Sequence, residues 1–257
     1  MLKPSQEKPW TSYRKESVDL YELVRDGERP RIEKVNTVPR KDQYRLMFEK
    51  GLYRLSVHCW GVGKWNNGSI VLQQRGKGDY RYPGLLDISA SGIMDAGENH
   101  AQGAVREITE ELHVAIGENN LIKSGMGWES GMVKEDVSGL MPGQIPNLML
   151  NEIVAIYFLK MDDLPVLPLQ SDGEVMALYS VGIADGIKLF TAQGGRIATA
   201  PKLNVVGGFY RPADEGLEEV SIGQIVPRHM KHYLRIFRMA EELIRKDVQP
   251  ELAPVRV

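Results

Sequence analysis

Glu107, Glu110 and Glu111 stand at i, i+3 and i+4 in a stretch, His100 to Leu112, whose Ala101, Ala104, Val105, Ile108 and Leu112 recur at helical spacing. On a helix the three carboxylates share one face. Like charges so placed cost about 0.2–0.5 kcal/mol per pair. A hard divalent cation relieves that repulsion, and Mg²⁺ in particular binds through carboxylates together with substrate phosphates. Arg106 can hold one carboxylate in place with its planar fork. Asp95, Gly97 and Glu98 lie just before the helix, in a loop that can face the metal. A solvated acidic helix face gives the same carboxylate pattern, so the surrounding residues must decide between the two.

Those residues favour chemistry. The 23 residues from Gly92 to Val114 resemble the signature of the Nudix hydrolases, G-x5-E-x7-R-E-U-x-E-E-x-G-U with U aliphatic. Gly92, Glu98, Arg106, Glu107, Ile108, Glu110, Glu111 and Val114 fall on it, and only His113 departs, where the family has glycine. The resemblance implies a Nudix α/β/α sandwich, an α/β (α+β) fold with a mixed β-sheet, an N-terminal extension and a C-terminal helix. It also implies Mg²⁺-dependent hydrolysis, with Mn²⁺ as a substitute ion, of a diphosphate linkage in a nucleoside diphosphate joined to another moiety. Glu107, Glu110 and Glu111, with the carbonyl of Ser91, become the expected metal ligands. Arg106 and Glu98 join them in the expected catalytic centre, and Glu107, Glu152 or Glu174 is expected to take the proton from the attacking water. The expected partner is a small-molecule diphosphate, and a homodimer is compatible with related folds.

Further segments resemble the branch related to isopentenyl diphosphate isomerase: Val57 to Trp60, Leu72 to Arg75, Tyr82 to Ser89, Asn151 to Ile153, and Glu174-Val175. Isomerisation is therefore a rival reading. Ser91 stands where the isomerases carry a thiol, and Arg54 and Ile93 replace two of their metal-binding histidines, which argues against it. A non-catalytic Nudix module that binds a nucleotide or metabolite is a second rival. The intact Arg106, Glu107, Glu110 and Glu111 set weighs against that one. His58 and Arg75 are candidate substrate contacts, Arg75 because a guanidinium matches phosphate oxygens bidentately. Glu152 is favoured over Glu174 as the added acid, since the resemblance aligns it with a catalytic glutamate.

The elements that must position these groups follow from periodicity and turn residues. Strands are expected at 18–24, 52–62, 69–74, 85–89, 152–159 and 175–181, with turns at Arg25-Asp26-Gly27 and Asn66-Asn67-Gly68. Helices are expected at 100–112, 184–190 and 228–246. The last has Met230, Tyr233, Leu234, Phe237, Ala240 and Ile244 on one face. Residues 125–148, with five glycines and two prolines, read as a long functional loop, and 191–210 as poorly patterned. Residues 1–17 form a tail, 18–190 the Nudix domain, and 191–257 an extension whose helix packs on the same domain.

Composition restricts the alternatives. A chain of 257 residues buries a substantial core without a metal or disulfide staple. Lys and Arg number 32 against 34 Asp and Glu, so no global field draws the protein to nucleic acid or membrane. Arg228, Lys231, Arg235, Arg238 and Lys246 of the last helix read as a solvated face, because no aromatic stacking platform accompanies them. The single cysteine, Cys59, fits a reducing compartment. No run approaches 18 apolar residues and the N-terminus lacks a secretory core, so a cytoplasmic protein is expected.

Overall fold

The structure is a computed structural model that describes residues 16–24, 31–77, 79, 82–133, 148–162, 164, 174–191, 196–206, 209–228, 230–246 and 255–256. β1 (Ser17–Val24) pairs antiparallel with β2 (Arg31–Pro39), which periodicity did not reveal because its side chains are mostly exposed. The ladder with β1 makes it a strand. The expected turn at Arg25 to Gly27 lies outside the described residues. A second unanticipated element, α1 (Gln43–Lys50), buries Gln43 and Met47 and ends on Gly51 in the left-handed conformation. Met47 packs with Val18, Leu20, Val38 and Leu52 in a small satellite core.

β3 (Tyr53–Gly63) is the axis of the fold. It runs parallel to β8 (Leu148–Lys160) from Arg54↔Glu152 to Val62↔Lys160. Buried on both sides, it divides its side chains between two cores, as a central strand must. Leu55, Val57 and Cys59 pack under α2 (His100–Leu112) with Ala104, Ile108 and Leu112. Trp60 and Val62 enter the opposite core with Phe190 of α3 (Ile183–Thr191) and Tyr233 and Phe237 of α4 (Met230–Lys246). Helices therefore cover both faces of a mixed sheet.

The other edge of β3 forks. It pairs with β4 (Ser69–Arg75) only at Val62↔Ile70 and Gly63↔Ser69, and then with β6 (Ala90–Ile93) from Ser56↔Ile93 to Cys59↔Ala90. β5 (Leu86–Asp87) lies against β4. Beyond β4 come β9 (Val175–Gly182), β10 (Arg196–Val206) and β11 (Phe209–Ser221); beyond β8 come β7 (Leu121–Val133) and β12 (Val255–Arg256).

Two expected irregular stretches are strands. Residues 125–133 of the expected loop pair with β8 in register from Gly125↔Ile156 to Val133↔Leu148, and 134–147 lie outside the described residues. The glycines misled because a ladder can recruit a segment of low intrinsic propensity, with a bulge at Ser124, between Lys123 and Gly125, taking up the irregularity. The poorly patterned 191–210 segment likewise contains β10 and the start of β11, joined antiparallel. α4 begins at Met230, which is exposed; Ile236, Met239 and Leu243 widen its buried stripe instead.

α2 has a capping box. Asn99 Oδ1 accepts from the amides of Ala101 and Gln102, and Gln102 Oε1 accepts from the Asn99 amide. His113 occupies the C-cap in the left-handed conformation, φ 54°. It performs the turn that glycine makes in the signature, at a cost of about 1–2 kcal/mol.

Candidate active site

The fork between β4 and β6 opens into a pocket of about 440 Å³. α2 supplies Arg106, Glu107, Glu110 and Glu111 to its wall, β6 supplies Ser91, Gly92 and Ile93, and β3 supplies Arg54, Ser56 and His58. Gln73 and Arg75 of β4, Asp87 of β5, Glu152 of β8, Glu174 before β9, and Arg40 and Tyr44 from the α1 region complete most of it. Of the expected site residues, all but Glu98 line this pocket.

Glu98 sits behind it. Its carboxylate receives Arg106 Nε at 2.8 Å and Nη2 at 2.9 Å, and accepts from the Asp95 amide. Arg106 Nη1 in turn reaches Glu107 Oε1 at 2.6 Å and Glu110 Oε2 at 3.5 Å, while Nη2 also donates to the Ile93 carbonyl. Arg106 thus ties the loop before α2, strand β6 and two of the three helix carboxylates into one unit. Glu111 is held from the other side, accepting from the Ser91 amide and from Gln73 Nε2, both at 3.0 Å.

Glu107 is buried, and Glu111, partly buried, stands one turn further along α2. Burial, reinforced by the charge of Glu110 against the opposing pull of Arg106, raises Glu107 to about 7. Burial and then the charge of Glu107 push Glu111 well above the usual carboxylate range. Gly92 makes the packing possible: a Cβ there would meet the Glu107 carboxylate at less than 3.0 Å, so the carboxylate keeps this position only while strand β6 carries no side chain here. Among the described residues, no three His, Cys, Asp or Glu side chains converge as a ready-made metal cluster. Arg106 instead engages Glu107 and Glu110, and Gln73 and the Ser91 amide engage Glu111.

Glu152 has both oxygens engaged. Arg54, itself buried, donates to Oε1 through Nε at 2.9 Å and through Nη2, and Ser56 Oγ donates to Oε2 at 3.2 Å. Arg54 also donates to Gln43 and lies over the Tyr44 ring, 5.2 Å from its centroid. His58 is 3% exposed, and its Nδ1 is sealed without a hydrogen-bond partner. Burial, then the charges of Arg228 and His232, lower its pKa far below the ordinary value.

Sequence reasoning missed Asp87, Gln73, Arg40 and Tyr44, and misplaced Arg228. Arg228 precedes α4 rather than riding on its solvated face; it donates to Asp87 and, at 3.1 Å, to the Tyr233 hydroxyl. Asp87 and Gln73 fell inside segments that carried a resemblance, the only signal that could have found them. Cys59 is buried beneath α2 with Sγ 4.0 Å from the Ala104 carbonyl, and it does not line the pocket.

A mixed sheet between helices, with an acidic helix over a glycine strand, defines the class, and the comparisons name it. Residues 53–178 match the family model of the NUDIX domain, and this chain carries a Nudix domain. An uncharacterized Nudix hydrolase of Yersinia pestis is 42% identical over 48 residues, which are 19% of this chain and 26% of that protein. Nudix hydrolase 3 of Arabidopsis thaliana is 32% identical over 94 residues, 37% of this chain and 11% of that protein. The matches thus span well under two thirds of the relatives' own lengths. A crystal structure from Deinococcus radiodurans aligns over 67% of this chain and 87% of its own, at 18% identity and a TM-score of 0.42.

Proposed function

We propose that the protein hydrolyses a diphosphate linkage in a nucleoside diphosphate joined to another moiety, using Mg²⁺, with Mn²⁺ able to substitute. The observation that carries this reading is the buried Glu107 carboxylate packed over Gly92, with the part-buried Glu111 held one helical turn away by the Ser91 amide and Gln73. Two carboxylates crowded out of water are costly unless a cation joins them. The pocket as a whole supports it: among its described lining residues nine carboxylates face five guanidinium groups, so a diphosphate would be repelled without added positive charge.

Glu107, Glu110 and Glu111, with the Ser91 carbonyl, would hold the ion. When bound, such an ion neutralises diphosphate oxygens, orients the substrate and lowers the pKa of an attacking water. Arg106, braced by Glu98, keeps the helix carboxylates facing the pocket. Glu152, engaged by Arg54 and Ser56, is suited to positioning Arg54 rather than to accepting a proton. The base of this reading is therefore narrowed to Glu107 or Glu174, both on the pocket wall. Cys59 lies away from the pocket, so the isomerase rival has no thiol where its proton transfer needs one.

The test is a panel of nucleoside diphosphate derivatives with Mg²⁺, assayed for monophosphate release, with Glu107→Gln and Glu174→Gln alongside. Turnover with wild type, lost on adding EDTA, is the expected result. A folded wild-type protein inert to the whole panel overturns the reading.

A further inference from the structure

The C-terminal segment reaches the pocket by its own route. Ile225 bridges Leu86, and the Val226 amide donates to the Leu86 carbonyl at 2.9 Å, so 225–226 runs alongside β5 and delivers Val226, Pro227 and Arg228 to the wall. The Arg228 guanidinium is then held at Nη1 from two sides. Nη1 donates to Asp87 and to the Tyr233 hydroxyl, which itself donates to the Val226 carbonyl at 2.9 Å. Asp87 is 2% exposed and shares its second oxygen with Arg75, which also pairs with Asp79.

We propose that Arg228 anchors the substrate phosphate lying beyond the one bound at α2, with the His58 imidazole beside it as a second polar contact. The inference rests on the hydrolase reading and names the residue that grips the far half of the diphosphate. Three features of the site support it. A guanidinium offers a planar fork that fits two phosphate oxygens, and this one is held in position before any ligand arrives. It stands on a wall rich in carboxylates, where an anion needs a cation. His58 lines the same pocket, so its ring edge can add a polar contact to the group that Arg228 holds.

The experiment titrates the full chain, in Mg²⁺, with methylene-bridged ADP and separately with AMP, following heat. Arg228→Gln should weaken the methylene-bridged probe at least tenfold and AMP less than threefold. Arg228→Lys, which keeps the charge but not the fork, should fall between. In turnover assays Arg228→Gln should raise KM about tenfold while kcat changes less than threefold. Native melting with unchanged affinity for the methylene-bridged probe would show that Arg228 merely clamps the C-terminal segment, and would overturn the proposal. Failure of wild type to bind that probe would overturn it as well. Should Arg228→Gln not fold, Arg228→Lys and Tyr233→Phe decide: weaker probe binding in the folded variants supports the anchor, and unchanged binding refutes it. Wild-type binding that depends on Arg228, without turnover of any panel substrate, would sink the hydrolase reading and leave the anchor standing.

Discussion

Arg54 and Glu152, 98 residues apart in sequence, face each other across the parallel β3–β8 register and form a buried ion pair on the pocket wall. The pair lies on the α4 side of β3, in line with Ser56, His58 and Trp60, where the sheet face grades from polar pocket to apolar core. Removing one member of a buried pair strands the other, which costs about 3–5 kcal/mol. Glu152→Gln should therefore lower stability by about 3 kcal/mol in chemical denaturation, while folded enzyme keeps measurable turnover. Complete loss of turnover at full stability would instead make Glu152 the base.

Gly92→Ala should act on Glu107 rather than on the fold. The atoms in the way are the end of a flexible side chain, which can swing aside at little cost in stability. A displaced catalytic group is penalised far more, and a misplacement of about 1 Å can cost roughly 100-fold. The expected variant melts within a few degrees of wild type and has kcat/KM down about 100-fold. Wild-type kinetics would detach Glu107 from the chemistry.

Glu111→Gln should abolish most activity yet raise the melting temperature in EDTA at alkaline pH, where Glu111 would otherwise place a second charge beside Glu107. A variant that turns over normally at saturating Mg²⁺ would refute the assignment of Glu111 to the metal.

Glu107 sets the pH dependence. Its carboxyl is raised from an ordinary 4.5 to about 7, so the folded state favours the proton. That contribution to stability is complete below pH 4.5 and is lost as pH rises through 7. A divalent cation bound as proposed would take the proton's place. The Mg²⁺-induced rise in melting temperature should accordingly be larger at pH 8 than at pH 5; an equal or opposite trend would contradict it.

Asp87 runs the other way. Burial opposes its charge, but Arg228 and Arg75 outweigh burial and bring it to about 2. Its contribution is present above an ordinary 3.8 and is lost as pH falls through 2. Asp87→Asn should destabilise the protein by about 3 kcal/mol, and the deficit should shrink when denaturation is repeated near pH 2. A deficit independent of pH would mean that packing, not charge, is what Asp87 contributes.

What the sequence determined by itself is the local chemistry: the acidic face of α2, Arg106 beside it, Gly92 and Glu98 before it, and the strands and helices whose apolar residues repeat at period 2 or 3.6. Each depends on neighbours within one element, so spacing alone reveals it. What only the tertiary structure decided depends on pairing. β2, β10 and residues 125–133 become strands because a partner ladder takes up their backbone hydrogen bonds, whatever their own propensities. Arg54 meets Glu152, and Arg228 leaves the supposed solvated helix face for Asp87, because buried charges seek partners brought close by the fold rather than by the chain. Glu98 showed the reverse limit: its place in the motif was legible, but only the folded chain turned it onto Arg106, behind the pocket rather than into it.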